Sequence, residues 1–237
     1  MNKILTLFSI CLMLCVTTAT AQNGLNSPYS QFGIGVSEWP YNSPYAIGRG
    51  AFLAAGAPNM VNVYNPATYG SVTSRSFVFD VGLGVQMNWM NDSKTSEYDA
   101  DGYLSHISIA FPFCKWWKTS FTVQPFSNVE YDFNVPSVDT TTYGKMNTEY
   151  SGEGGANRFT WGHAFNIGER FALGFNLHLL YGNMTRYITY DFLANDTSYF
   201  IDNQRQKNTR ILNFGTDLGA PQNKVCHCFH CFPIYLP

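Results

Sequence analysis

Charge is what this chain has least of. Asp, Glu, Lys and Arg make up 13% of its 237 residues, about half of the ~25% usual in soluble domains. So few charges coat a soluble surface poorly. The net charge is −2, which leaves no footprint for a nucleic acid and no polybasic patch for an anionic membrane surface. Long apolar runs are missing after residue 21, because Asn, Gly, Ser, Gln or Asp breaks the greasy stretches at every second position. That excludes helical spans from the mature chain. A disulfide framework is missing too. Cys11 and Cys15 fall in the leader, Cys114 stands alone, and Cys226, Cys228 and Cys231 crowd the last dozen residues. No nucleophile elbow, paired-carboxylate motif or glycine-rich phosphate loop before a helix is present, so the chain is read as a non-enzyme that needs no cofactor.

What is there in abundance is aromatic side chains, 16% of the chain, arranged in alternation. Over residues 77–89, Phe77, Phe79, Val81, Leu83, Val85, Met87 and Trp89 fall on one side. Val78, Asp80, Gly82, Gly84, Gln86 and Asn88 fall on the other. Successive strand side chains point to opposite faces, and about 9–11 tilted residues cross a bilayer. A greasy face pointing out to lipid and a polar face lining a lumen make a membrane β-barrel strand. The leader agrees. Lys3, an apolar core at 4–16 and Ala19-Thr20-Ala21 before Gln22 read as a cleaved signal peptide. Leu14 before Cys15 argues against a lipoprotein site.

Three zones follow. Residues 22–73 are rich in turn signals, among them Ser27-Pro28, Trp39-Pro40 and Asn65-Pro66. Such a length without a strand is functional or disordered, and its Tyr, Phe and Trp argue against disorder. Residues 74–219 carry strand candidates at 77–89, 103–113, 117–135, 157–167, 171–181, about 188–192 and 210–218. Tyr103, Ile107, Ile109, Phe111 and Phe113 are placed on the outer face. So are Trp117, Phe121, Val123, Val129, Tyr131, Phe133 and Val135. Connections alternate short (114–116, 168–170) and long (91–102, 136–156), the rhythm of an outer-membrane barrel. Residues 220–237 break the pattern, with Cys226, His227, Cys228, His230 and Cys231 close together. That spacing is poor for structural zinc, and no metal site is assigned.

Several motifs carry a resemblance. They are Asn26-Ser27-Pro28-Tyr29-Ser30, Phe32-Gly33-Ile34-Gly35, Gly48-Arg49-Gly50-Ala51, Asn65-Pro66-Ala67, Gln124-Pro125-Phe126-Ser127-Asn128-Val129, and Gly152-Glu153-Gly154-Gly155-Ala156-Asn157-Arg158-Phe159. With Leu173-Gly174-Phe175-Asn176 leading to Tyr181-Gly182, their order resembles a divergent branch of the FadL-like outer-membrane transport proteins. The resemblance implies an all-β, antiparallel transmembrane β-barrel of about fourteen strands, with an N-terminal plug in its lumen. It implies passive transport of hydrophobic, fatty-acid-like small molecules across the outer membrane of a Gram-negative bacterium. The alternative is a non-transporting barrel that serves as a secretion-machinery shuttle or scaffold.

Expected partners are outer-membrane lipid, a hydrophobic ligand and the barrel-assembly machinery. Phe32, Ile34, Phe52, Leu53 and Met60 are candidate pocket liners. Asn65, Pro66 and Ala67 are candidate plug anchors. Pro125 removes a ladder donor mid-strand, and the resemblance makes it a wall kink through which a ligand leaves sideways. The strand candidates amount to about half such a barrel, and the ending lacks a terminal aromatic. A frameshift or premature stop near Ala220 is therefore expected. A small barrel of about eight strands, its last strand built from the tail, is the other reading.

Overall fold

The structure is a computed structural model and describes residues 27–37, 61–91, 96–136, 146–168, 171–192, 203–222 and 225–229. The expected signal peptide lies outside them. Eight strands are present: β1 (Val36–Ser37), β2 (Val78–Asn91), β3 (Ser96–Pro112), β4 (Trp117–Pro136), β5 (Met146–Ile167), β6 (Phe171–Phe192), β7 (Asn203–Gln222) and β8 (Val225–Phe229). β2 to β8 pair in chain order, each antiparallel to the next. The fold is an all-β barrel wall. Its sheet is not closed, since β2 and β8 form its two ends among the described residues. No helix among those residues is long and apolar enough to cross a membrane.

The end of the wall with the short turns, at 113–116 and 168–170, is called lower here. There the outer face is as the alternation predicts. Phe79 is 61% exposed, whereas Val78 on the opposite face is 9% exposed. β2 carries its apolar outer face on to its upper end, where Trp89 is 71% exposed beside Tyr98. β5 to β7 continue this outer belt with Trp161, Leu173, Leu177, Tyr181, Leu212, Phe214 and Leu218. The inner face below holds Lys118, Ser120, Thr122, Thr160 and Asn176, all buried beneath residues 61–72.

Several strands are longer than their apolar pattern. β5 starts at Met146, so half of the expected loop at 136–156 is strand. The segment around Ile188 is the end of β6, not a strand of its own. β7 starts at Asn203 and ends at Gln222, and residues 225–229 of the expected foreign tail pair with it as β8. In the added upper halves the alternation persists with its polarity reversed, which is why it reads as loop.

Two bulges correct the expected faces. In β3, Gly82 opposes His106 and Leu83 opposes Leu104, leaving Ser105 extra. Tyr103 therefore turns inward over Gly84, and Leu104 takes the outer side. In β4, Pro125 opposes Asn157 and Ser127 opposes Ala156, leaving Phe126 extra. A one-residue insertion swaps the faces of everything beyond it. Val129, Tyr131, Phe133 and Val135 consequently face in rather than out. Val129 and Tyr131 are buried with Ala156 and Met184, and Phe126, Phe133, Tyr150, Leu180 and Ile211 pack around them.

Candidate functional site: a seated plug and an edge strap

Residues 61–72 are held in the lower lumen by local chemistry first. Asn65 caps a 3-10 turn, Pro66–Ser71: its Oδ1 accepts from Ala67 N at 3.3 Å. Thr68 Oγ1 donates back to Asn65 O at 2.7 Å. Pro66 starts the turn where its missing N–H costs nothing. The turn then seats where the wall has no side chains. A Cβ on Gly174 would collide with the backbone of Pro66 and Ala67, and one on Gly162 with the Tyr69 ring. Asn65, Pro66 and Ala67 thus lie buried against β6 and β7.

The wall supplies the remaining bonds. Lys118 Nζ donates to Gly70 O and Val72 O, both at 2.5 Å. A cation is well placed on carbonyls at a turn's end. Asn166 Nδ2 donates to Gly70 O at 3.0 Å, and Asn176 Nδ2 to Val63 O at 2.6 Å. Tyr69 Oη donates to Asn176 Oδ1 at 3.2 Å. Tyr69 is fully buried, and that burial pushes its phenol well above the ordinary tyrosine range. Arg158 Nη2 donates to Tyr64 Oη at 3.3 Å. The sequence reading missed Lys118, Asn166 and Asn176. Their signal was a polar residue at a lumen-facing position near the short turns.

The histidines do not converge. His106 Nε2 lies 3.3 Å from Asp80 Oδ2 on the β2–β3 pair. His178 lies 2.5 Å from Asp217 and 2.9 Å from Thr160 Oγ1, on β5 to β7. His163 is on the outer face, accepting from Trp117 Nε1 at 3.1 Å among aromatic rings. Among the described residues no group of three or more His, Cys, Asp or Glu is arranged to hold a metal.

The second feature is a strap, residues 27–37, at the upper part of β4. Ser27 N donates to Glu130 O at 2.9 Å, and Glu130 N donates to Ser30 Oγ at 3.1 Å. β1 pairs Val36 with Asn128 and Ser37 with Ser127. Arg186 Nη2 donates to Gly33 O at 2.7 Å. Phe32 is 67% and Ile34 42% exposed, so neither lines a closed pocket. Phe52, Leu53 and Met60 lie outside the described residues. Pro125 sits just past the end of the β3–β4 ladder, which stops at Ile107 opposite Val123, and directly before the Phe126 bulge.

An apolar outer belt and a polar inner face with residues 61–72 bonded against it define an unclosed, all-β barrel wall. Within that class, the family model that matches is BamG, over residues 1–227, and the chain belongs to that family. This overturns the FadL-like resemblance. Of the motifs behind it, Asn65-Pro66-Ala67 is a capped turn seated on Gly174, while Gly152, Gly154 and Gly155 pack against Tyr131, Met184 and Ser127. Comparison with curated proteins and with solved structures finds no match.

Proposed function

We propose that this chain is a non-catalytic scaffold of the outer membrane that works with the β-barrel assembly machinery. The family match over residues 1–227 carries the reading, since the BamG name ties the family to that machinery. The fold supports it. The outer belt of Phe, Leu, Trp and Tyr suits lipid contact below. The polar outer face of β4 to β7 above suits contact with other proteins or with solvent. Lys118, Asn166 and Asn176 bond the plug in place, which favours a fixed wall over a conduit.

The test is copurification. A tagged full-length chain, extracted in mild detergent, should bring down the central barrel subunit of the assembly machinery. Its depletion should lower the levels of other outer-membrane barrels. A chain that purifies alone, in cells whose barrel content is unchanged by its loss, would overturn the reading.

A further inference from the structure

β3 and β4 are long strands joined by a tight turn, yet their ladder is short. It covers six pairs, from Pro112 opposite Lys118 to Ile107 opposite Val123. Above that level β3 stays with β2 as far as Asn91 opposite Ser96, and β4 stays with β5 as far as Pro136 opposite Asn147. The bulges at Ser105 and Phe126 flank the point of parting, and bulges bend the strands that carry them. Pro125 adds a residue with no N–H to give.

The upper edge of β4 is met by the strap instead. Ser30 Oγ lies 2.9 Å from Glu130 O and 3.1 Å from Glu130 N. The buried hydroxyl accepts from Glu130 N as a strand carbonyl would, its one proton facing both Ser27 O at 2.7 Å and Glu130 O, while Ser27 N donates to Glu130 O as a strand amide would. Gly35, at φ 91°, lies so close to the Asn128 carbonyl that a Cβ would collide with it. True pairing is limited to two residues of β1. Tyr29, Phe32 and Ile34 stay exposed, so the strap's apolar side chains add little to its hold.

We propose that the β4 edge from Phe126 to Asn134 is a strand-acceptor site for an extended segment of a partner polypeptide, and that the strap is a cis occupant the partner displaces. The site's own side chains set the partner's chemistry. Val129, Tyr131 and Phe133 form its inner row. Asn128, Glu130, Asp132 and Asn134 form its outer row, by register with Gly155, Glu153, Ser151 and Glu149. Cross-strand neighbours favour aromatic or β-branched partners on the first row and opposite charge on the second. The partner segment is therefore amphipathic, apolar residues alternating with Lys or Arg, and antiparallel to β4 as β1 is. This deepens the scaffold reading and rests on it for the choice of a polypeptide partner.

The experiment uses the full chain in detergent micelles. The probe is a fluorescent peptide of alternating Val and Lys that carries a photoreactive group. A peptide of the same composition with the valines in one block is the control. Ser30→Ala removes the hydroxyl from Glu130, and Gly35→Val unseats the strap by strain and collision. The alternating peptide should bind both variants about fivefold or more tighter than the native chain, the scale of one lost hydrogen bond. Its crosslinks should map to residues 124–136. Should Gly35→Val misfold, Ser30→Ala with amide exchange at Glu130 decides alone. Equal binding of the blocked peptide, crosslinks elsewhere, or no tightening in Ser30→Ala would overturn the proposal. Peptide capture without copurification of the assembly machinery would overturn the scaffold reading only, and copurification without peptide capture would overturn this one only.

Discussion

Below the level of Pro125, β4 to β7 turn Phe121, Trp161, Leu177 and Phe214 outward and Thr122, Thr160, Asn176 and Gly215 inward. Above it the same strands turn Asp132, Glu153, Thr185 and Asn208 outward, with Tyr131, Gly152, Met184 and Thr209 inward. Strand alternation is neutral about which face is greasy. The surroundings decide, and these strands meet two of them. The lower half needs an apolar outside and a polar seat for the plug. The upper half carries a small apolar core around Met184 and a polar outside, as a soluble sheet does. β5 to β7 make the change by composition alone. β4 makes it with one inserted residue, Phe126.

The sharpest way to break this comparison is to delete Phe126. Without the bulge, β4 above it must either lose its register with β5 or turn Glu130 and Asp132 inward and Val129 and Tyr131 outward. Buried unpaired carboxylates and a lost core belong among the largest single-site effects. The deletion should destabilise the chain by about 5 kcal/mol or more, read as loss of the folded form in a urea titration in micelles. A stable, native-like deletion would mean that the bulge does not set the faces.

A smaller effect separates the two halves directly. Leu177→Arg places a charge on the lower outer face and should cost about 2–4 kcal/mol in a bilayer. Thr185→Arg, on the same strand and the same face but in the upper half, should stay within about 0.5 kcal/mol. Folding titrations into lipid vesicles read both. Equal costs would erase the boundary drawn at Pro125.

The lower half was the more legible of the two. The alternation of residues 77–83 announced its faces, and β2 carries them as read, keeping the same apolar outer face above that level through Val85, Met87 and Trp89. The Asn65-Pro66 dipeptide announced a turn, because Asn before Pro is local chemistry, and the structure makes it a capped 3-10 turn. The upper half was obscure for physical reasons. A bulge leaves the alternation intact on each side of it, and only a neighbouring strand reveals the swap. The Gly-rich stretch 152–155 reads as loop until Tyr131 and Met184 are placed against it. The strap is a pairing of residues about a hundred positions apart, which no local pattern encodes. The family was hidden for a related reason, because the quoted motifs mark turns and close backbone approaches and not what the wall serves.

Within the lower half, the plug's hold can be graded. Lys118→Met keeps the bulk of the stem but removes the donor to Gly70 O and Val72 O. Bonds to a charged donor are worth about 1.5–3 kcal/mol each, and relief of the buried ammonium's desolvation offsets part of that. The expected net is roughly 1–2 kcal/mol of local stability. It should appear as faster amide exchange at Thr68 and Val72, whose N–H groups close the turn, with exchange in β5 near Met184 unchanged. Loss of protection in both places would mean that plug and upper core unfold together, and that the two halves are one cooperative unit.

The mildest test uses Tyr69. Its phenol is raised by burial, so the folded chain holds this proton more tightly than the unfolded chain does. A group raised in this way contributes stability that is complete below its unfolded value, about 10 for tyrosine, and is lost as pH rises toward the folded value. The plug should therefore loosen in alkali. Amide exchange at Val72, corrected for the intrinsic rise with pH, should accelerate above about pH 10 in the native chain. Tyr69→Phe removes the titrating group and the bond to Asn176 Oδ1. Its plug should be slightly looser at neutral pH and flatter in its alkaline response. An unchanged alkaline slope in Tyr69→Phe would move the sensitivity to another group, with Tyr64, also raised by burial, the next to substitute.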